Sequence, residues 1–461
     1  MPRAVGSLLA LLLLVGCGSE EAPEETQPAR WTVKDGFIRA PDGRRAILRG
    51  ANLAGAHKAA PYFGFHAAPD YAALRDHWGM TNIRLLILWA AIEPEKGKYD
   101  ESYLDEVALR AAWARDAGLS VVLDMHQDVY GEGFATGGGD GAPRWTCDEA
   151  HYQAFTPASQ WFLNYLDPNV QDCVDGFYAS EELMDHYIEA WRRVAARLAD
   201  NDAVVGFDVM NEPHWGSSGM SAFDVEKLQP FYEKVVPKVR EVAPEWLAFL
   251  EPGASRNLGN PTSFEPFPFE GVVYAPHSYN SSAEQGQGFD PKARAQFVSN
   301  IELLAEEARS LGAALWIGEY GGPTEKAGIT EYMDANYDGA AAVAAANTYW
   351  AYDANSHGYG MLEDDHGPKA VLEDVLIRPA PHWIAGDPVS WDFDPTSRKF
   401  TLTWHPDAHV KTPTVIRVPD RVYPNGFEVA CDGCVTEATP GSLAVTAGPK
   451  GDPAVLEISG K

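Results

Sequence analysis

Basic residues are scarce in this chain of 461 residues. It has 36 lysines and arginines against 66 aspartates and glutamates, which gives a formal net charge of -30 at pH 7. A field of that sign repels the phosphate backbone of nucleic acids and the headgroups of anionic lipids at long range. We therefore exclude nucleic acid as a partner.

The N-terminal apolar run is short. Residues 8–15 follow Arg3 and are too few to cross a bilayer as a helix. The tetrapeptide LVGC, which ends at Cys17, resembles the lipobox of bacterial lipoproteins, in which the cysteine is acylated. The resemblance predicts a signal peptide over residues 1–17, a lipidated Cys17, a polar tether over residues 18–30 and an exported, membrane-anchored lipoprotein. The alternative is an ordinary signal peptide cut near Gly18 and a secreted protein.

Cysteine is also rare, with five residues in the whole chain. Without Cys17 an even number is left, which in an exported chain favours two disulfides, and proximity in sequence pairs Cys147 with Cys173 and Cys431 with Cys434. The Cys431–Cys434 spacing would also suit half a zinc site or a redox pair, but no second CxxC and no nearby histidine pair completes a metal shell. We expect no metal and no other cofactor.

Apolar, β-branched runs alternate with helical stretches over residues 31–378. The eight predicted strands are residues 47–52, 82–88, 120–125, 204–210, 246–250, 272–275, 313–317 and 346–350. Helical periodicity is clearest over residues 101–117 and 181–199. A doubly wound sheet would carry a glycine-rich phosphate turn after its first strand, and residues 51–55 lack one. We therefore predict an α/β fold, a (β/α)8 TIM barrel.

Beyond residue 377 the pattern changes. Three prolines mark a linker, and short alternating runs separated by turn residues follow over residues 379–461. This part is predicted to form a small C-terminal antiparallel β-sandwich. Within the barrel, a long insertion over residues 130–178 is glycine-rich, then aromatic, and holds two of the cysteines. We expect it to form a wall of a substrate site.

Polar side chains suited to one site lie in or directly after the predicted strands, at the end of a barrel where catalytic groups collect. They are Arg84, Asp124, His126, Asn211, Glu212, His277, Tyr279, Glu319 and Trp350. The pair Glu212 and Glu319 suggests glycoside hydrolysis, which needs one carboxyl group to protonate the leaving oxygen and another to attack or to activate water. A gap of about 5 Å between them would give retention and a wider gap inversion.

Each of these residues also has a purely structural interpretation. Glu212 and Glu319 could be turn carboxylates, Arg84 a buried ion pair and Trp350 core packing. The alternation of Asp124, His126 and Asp128 could ligate a metal, but metal-dependent barrel hydrolases usually carry His-x-His on the first strand, and this chain has no such tripeptide.

The segments VVGFDVMNEP and LWIGEYGG resemble the two catalytic motifs of glycoside hydrolase family 5. The resemblance implies that Glu212 is the acid/base and Glu319 the nucleophile, with retention of configuration. It also implies the remaining substrate-binding positions, which are Arg84, His126, Asn211, His277, Tyr279 and Trp350. Asn211 would bind the sugar 2-hydroxyl, and Arg84 would lower the pKa of Glu319.

A narrower resemblance covers most of the chain. VVLDMHQDVYG, LADNDAVVGFDVMNEP and PDAHVKTPTVIRVP are similar to segments of bacterial endoglycoceramidases, which cleave the bond between an oligosaccharide and ceramide in glycosphingolipids. This implies that Asp128 and Lys58 also contact the sugar and that a glycosphingolipid is the substrate. Any membrane association is expected through the lipid anchor at Cys17. We expect a monomer.

Three alternatives remain open from sequence alone. They are an exo-acting glucosylceramidase, a β-glucanase of the same family, and a carbohydrate-binding lipoprotein without activity. Phe264, Phe267 and Phe269 could line a lipid channel or form a local hydrophobic cluster under a loop.

Overall fold

The computed structural model describes residue 1 and residues 30–54, 56–354, 356–448 and 452–461. The predicted signal peptide after Met1, Cys17 and nearly all of the predicted tether lie outside these residues. Within the described ranges, none of the helices combines the length and the apolar character needed to cross a membrane.

Eight parallel strands close into a barrel, which confirms the predicted fold. In chain order, and numbered below as barrel strands one to eight, they are Gly50–Leu53, Asn82–Ile87, Ser120–Met125, Val204–Asp208, Leu247–Leu250, Val272–Tyr274, Ala314–Tyr320 and Ala346–Tyr349. The seventh strand continues three residues beyond its predicted end, so that Glu319 lies within it. The first begins at Gly50 rather than at residue 47.

Most of the helices form the outer layer of the barrel, and two belong to the insertion described below. Their bounds are Ala68–Asp76, Trp89–Ile92, Glu101–Asp116, Glu149–Ala154, Pro168–Ala179, Glu181–Leu198, Met220–Phe223, Gln229–Arg240, Ser281–Glu284, Arg294–Ser310, Ile329–Ala342 and Ala370–Leu376. Helix Glu181–Leu198 confirms the helix predicted from the apolar periodicity of residues 181–199. Ser180 caps its first turn by accepting from the backbone N–H of Leu183 at 3.2 Å, and its buried face includes Trp191 and Val194.

The predicted insertion after the third strand folds over the barrel mouth. It contains 3-10 turns at Glu132–Gly137, Arg144–Thr146 and Trp161–Leu166, besides helices Glu149–Ala154 and Pro168–Ala179. A disulfide between Cys147 and Cys173 ties its first half to helix Pro168–Ala179.

Two antiparallel sheets follow the barrel and share one apolar core. Strands Gly386–Asp394, Lys399–Pro406, Ala454–Gly460 and Phe427–Ala430 form one sheet, and strands Ala380–Ile384, Thr414–Arg417, Ser442–Thr446 and Val435–Thr439 belong to the other. Leu402 and Leu456 of the first sheet and Ile416 and Leu443 of the second are fully or almost fully buried in this core. A disulfide joins Cys431 to Cys434 in the turn after Phe427–Ala430.

Residues 32–46 also belong to the sandwich, although the domain predicted from sequence covers only residues 379–461. Strands Thr32–Lys34, Phe37–Arg39 and Arg45–Ala46 extend the second sheet, where Ala46 pairs with Trp383. These strands are too short to be stable alone, and pairing with the C-terminal sheet satisfies their backbone groups.

Candidate active site

The carboxyl groups of Glu212 and Glu319 face each other at the C-terminal end of the barrel. Glu319 lies in the seventh strand, and Glu212 follows the fourth. One oxygen of each lies within 4.8 Å of the other. Retaining glycosidases place their two carboxyl groups about 5 Å apart, whereas inverting enzymes leave a wider gap for water. The geometry therefore suits a double displacement.

Two donors orient the carboxylate of Glu319. Arg84 Nη1 donates to Oε1 at 2.5 Å, and the Tyr279 hydroxyl donates to Oε2 at 2.8 Å. Burial raises the pKa of Glu319, the charges of His277 and Arg84 lower it, and the charge of Glu212 raises it again. Arg84 acts in the predicted direction, but the pKa of Glu319 is raised overall because burial outweighs the nearby cations.

Arg84 is held by acidic side chains around its guanidinium. It donates to Asp208 at 2.9 and 3.0 Å and to Glu251 at 2.9 Å, and Asp124 lies 3.0 Å away. The side chain is fully buried. These contacts, together with the hydrogen bond to Glu319, hold the buried guanidinium from several directions and fix the position of Arg84 beneath Glu319. The buried ion pair that the sequence analysis considered for Arg84 is present, and it also positions Arg84 to orient Glu319.

Glu212 has its own set of contacts. Its Oε1 receives a hydrogen bond from Asn257 Nδ2 at 2.8 Å and lies 2.8 Å from His277 Nδ1. Its backbone N–H donates to Glu251 Oε2 at 2.9 Å, while its carbonyl accepts from Gln127 Nε2 at 2.9 Å. Its φ is +37°, in the left-handed region that side chains other than glycine rarely adopt. These backbone hydrogen bonds hold the strained residue in place.

His277 lies among three carboxylates. Besides Glu212, its Nε2 lies 3.1 Å from Glu251 Oε1 and its Nδ1 lies 3.6 Å from Glu319 Oε2. Burial lowers the pKa of His277, but the charges of Glu251 and Glu319 and the hydrogen bond to Glu212 raise it well above its ordinary value. The neighbouring carboxylates therefore favour the protonated form of His277 between the two candidate catalytic groups.

A second polar cluster lies beside the pair and contains the other predicted sugar contacts. The Lys58 ammonium donates to Asp128 and lies 4.8 Å from the centre of the Trp350 ring. The rings of Trp350 and His126 stack at 5.5 Å. Burial and the charge of Lys58 lower the pKa of His126, but Asp124 and Asp128 raise it to about 9. The cluster offers an aromatic face and charged donors and acceptors, which is what a sugar ring needs.

Asn211 connects the two parts of the site. Its Oδ1 accepts from Arg84 at 2.9 Å, and its Nδ2 donates to the Gln127 carbonyl at 3.0 Å. All ten residues predicted for catalysis and substrate binding therefore gather at one end of the barrel, although their roles stay predictions.

Comparison with known proteins identifies the family. A family model described as cellulase (glycosyl hydrolase family 5) matches residues 42–356. The chain belongs to glycoside hydrolase family 5. A model of the glycoside hydrolase family 5 C-terminal domain matches residues 378–451, a range that includes most strands of the sandwich. The protein is thus an O-glycoside hydrolase of a retaining family, as the sequence motifs predict.

Relatives within family 5 match over nearly the whole chain. Solved structures of endo-glycoceramidase II from Rhodococcus sp. align with a TM-score of 0.82 and 32% identity, over 92% of this chain and 99% of that one. Endoglycoceramidase I of Rhodococcus hoagii is 28% identical over 88% of this chain and 82% of its own length. A glucosylceramidase of Rhizopus delemar is 31% identical, but over only 40% of this chain and 35% of its own.

A cavity of about 240 Å³ lies next to Asn257 and His277, which both contact Glu212. Asn257, His277 and Tyr279 line it together with helix Arg294–Ser310, including Phe297 and Leu304. By contrast, Phe264, Phe267 and Phe269 pack on one another and against Tyr232, so the structure favours the local cluster over a lipid channel.

Some residues of the site were not anticipated. Asn52 and Glu251 lie at the ends of the first and fifth strands, where the strand-end rule would have found them. Asp140 lies in a loop of the insertion, and Asn257 lies in the 3-10 turn Ala254–Leu258 after the fifth strand. Nothing in their local sequence points to the site, because only the folded loops bring them there.

Proposed function

We propose that this protein is an endoglycoceramidase, which hydrolyses the β-glycosidic bond between an oligosaccharide and ceramide and releases the intact sugar. The observation that carries the proposal is the alignment with endo-glycoceramidase II over 92% of this chain. One of those solved structures is a complex with ganglioside GM3, and another is a lactosyl-enzyme intermediate. The shared family, fold and paired carboxylates support the same chemistry here.

The reaction follows from the positions of the two carboxyl groups. Glu212 protonates the glycosidic oxygen that stays with ceramide, while Glu319 attacks the anomeric carbon and forms a covalent glycosyl-enzyme. Glu212 then takes a proton from water, which attacks the same carbon and releases Glu319. Two inversions give retention. Arg84 and Tyr279 hold the Glu319 carboxylate in line with the anomeric carbon and stabilise its negative charge when water displaces it from the glycosyl-enzyme.

The polar cluster around Lys58 and Asp128 binds the sugars in this proposal. Asn211 uses one amide N–H for the Gln127 carbonyl, and its second N–H is available for the sugar 2-hydroxyl. Trp350 provides a flat apolar surface beneath the ring. An exo-acting glucosylceramidase is less well supported, since the glucosylceramidase relative matches less than half of this chain.

The experiment is mass spectrometry of products released from a mixed panel of glycosphingolipids, with Glu319→Gln as the inactive control. We expect intact oligosaccharide and free ceramide. Release of single glucose units only would assign exo action. Cleavage of a β-glucan with no cleavage of any glycosphingolipid would overturn the proposal and favour the β-glucanase alternative.

We further propose that the protein is an exported lipoprotein that acts as a monomer and is anchored through an acylated Cys17. The support is the lipobox-like tetrapeptide and the polar segment after it. The Cys17→Ser variant should move from the membrane fraction to the soluble fraction. An unchanged distribution would contradict acylation of Cys17.

A further inference from the structure

The two carboxyl oxygens of Glu212 have unequal contacts. Asn257 Nδ2 donates to Oε1 at 2.8 Å, and His277 Nδ1 lies 2.8 Å from the same oxygen. Among the residues that the structure describes, none donates a hydrogen bond to Oε2. An acid/base must hold a proton on one of its oxygens and release it to the glycosidic oxygen. The contacts at Oε1 therefore help to decide which oxygen of Glu212 carries that proton.

His277 acts as a donor at this contact. Its Nε2 lies 3.1 Å from Oε1 of Glu251, a carboxylate that is only 2% exposed. The three carboxylates around the ring favour a proton on both ring nitrogens. The hydrogen on Nδ1 then points to Glu212 Oε1, which accepts from His277 and Asn257 at the same time.

The 3-10 turn that carries Asn257 is held at its start. The Gly253 N–H donates to Asp224 Oδ1 at 2.9 Å just before the turn, and the Ala254 N–H donates to the Pro213 carbonyl at 2.8 Å. Pro213 directly follows the acid/base in the chain, so the second hydrogen bond ties the turn to the backbone of that residue. Asn257 therefore has a fixed place beside the carboxyl group.

The two donors come from a different part of the barrel than the polar cluster that would bind the sugar. Asn257 and His277 follow the fifth and sixth strands. Lys58, His126 and Trp350 follow the first, third and eighth strands, which lie on the opposite side of the closed barrel. The donors thus hold Oε1 from the half of the barrel that faces away from the sugar cluster.

We propose that Asn257 is a positioning residue that occupies Glu212 Oε1 together with His277 and thereby leaves the transferred proton on Oε2. An oxygen that accepts two N–H hydrogen bonds has no room for a proton of its own, because that proton would meet the two donor hydrogens. The proposal rests on the proposed function, in which Glu212 is the acid/base.

Each step of the reaction then passes a proton through Oε2. In the first step Oε2 gives its proton to the glycosidic oxygen while the bond from that oxygen to the anomeric carbon breaks and Glu319 bonds to the same carbon. In the second step Oε2 takes a proton from water while the water oxygen bonds to the anomeric carbon and Glu319 leaves. Oε1 keeps its two donors throughout.

The test compares kcat/KM on two substrates that differ in their need for a proton. Detergent-dispersed lactosylceramide has an alcohol as its leaving group and needs protonation, whereas 2,4-dinitrophenyl β-lactoside releases a stable phenolate without it. Asn257→Ala deletes the donor. Asn257→Asp keeps the shape of the side chain but replaces the donor by a second carboxyl group, which would share a proton with Glu212 through Oε1.

We expect kcat/KM on lactosylceramide to fall about 10- to 100-fold in Asn257→Ala and at least as far in Asn257→Asp. On the aryl lactoside we expect kcat/KM of both variants to stay within about threefold of the parent. The matched control is Asn260→Ala, which removes an amide of the same loop that donates to Ser255 Oγ at 3.3 Å, and it should equal the parent on both substrates. Thermal melts check that all the proteins are folded.

Three results would overturn the proposal. Unchanged kcat/KM in both variants would show that Glu212 needs no donor from Asn257. Equal losses on the two substrates would show that Asn257 only supports the shape of the site. Normal activity of Asn257→Asp with impaired Asn257→Ala would show that the volume of the side chain matters and its N–H does not. Any of these in a parent that cleaves lactosylceramide refutes only the positioning role, whereas a parent that cleaves no glycosphingolipid refutes the proposed function.

Discussion

Replacing Asp140 with asparagine should stabilise the protein at neutral pH. This carboxyl group is 95% buried beside the polar cluster of Lys58 and Asp128, and its Oδ2 lies 3.9 Å from the Lys58 ammonium. Among the described residues, its buried Oδ1 has no hydrogen-bond partner. Burial raises the pKa of Asp140, the charge of Lys58 lowers it and the charge of Asp128 raises it, with a net value of about 7 against the usual 3.8.

The sign and size of the effect follow from that pKa. Between pH 4 and 7 the folded protein holds a proton on Asp140 that the unfolded chain has lost, so the free energy of unfolding falls as the pH rises. A pKa raised by about 3, at 1.36 kcal/mol for each pH unit, corresponds to about 4 kcal/mol at most. Because the charges of Lys58 and Asp128 act on Asp140 in opposite directions, we expect Asp140→Asn to gain about 2–4 kcal/mol at pH 8 and almost nothing near pH 4.

Urea unfolding from pH 4 to pH 8.5 measures this difference directly. The control is Asp364→Asn, which removes one charge from an exposed position and should leave the pH profile unchanged. A parallel pH profile for Asp140→Asn and the parent, or a loss of stability at pH 8, would refute this account. The latter result would mean that ionised Asp140 is needed as a partner of Lys58.

Two further predictions concern catalysis and one concerns the insertion. Glu319→Ala should lower kcat by roughly 10⁵-fold, and azide should restore part of the activity by forming a glycosyl azide of inverted configuration; an unaffected variant would remove Glu319 from the mechanism. Tyr279→Phe deletes a hydrogen bond of 2.8 Å to Glu319 and should lower kcat about 10- to 100-fold; equal kcat would show that Arg84 suffices to orient the nucleophile. Cys147→Ser/Cys173→Ser opens a loop with a sequence separation of 26 and should cost about 3.5 kcal/mol of unfolding free energy, so an unchanged melting temperature would contradict it.

The barrel and its chemistry could be predicted because they depend on local patterns. Strand periodicity and residue types placed Arg84 in the second strand and Asn211 and Glu212 directly after the fourth, and a barrel directs the ends of its strands to one face whatever its loops do. The insertion could be located by its composition, but its contacts could not. Asp140 reaches Lys58 through a β-bridge with Asp128, which depends on how the whole loop folds back.

The pKa of Glu319 is another property that the sequence could not predict. From sequence, Arg84 was expected to lower it, and that contribution is present. The net direction depends on burial and on the distance to Glu212, which no local pattern encodes.

The sequence by itself determined that this is a barrel glycoside hydrolase with Glu212 and Glu319 as its paired carboxyl groups, because strand periodicity and motif are properties of neighbouring residues. Only the tertiary structure decided that these groups approach within 4.8 Å and that residues 32–46 complete the distant C-terminal sheet. Each of these depends on packing between elements far apart in the chain, and the free energy of such contacts is set by the whole fold.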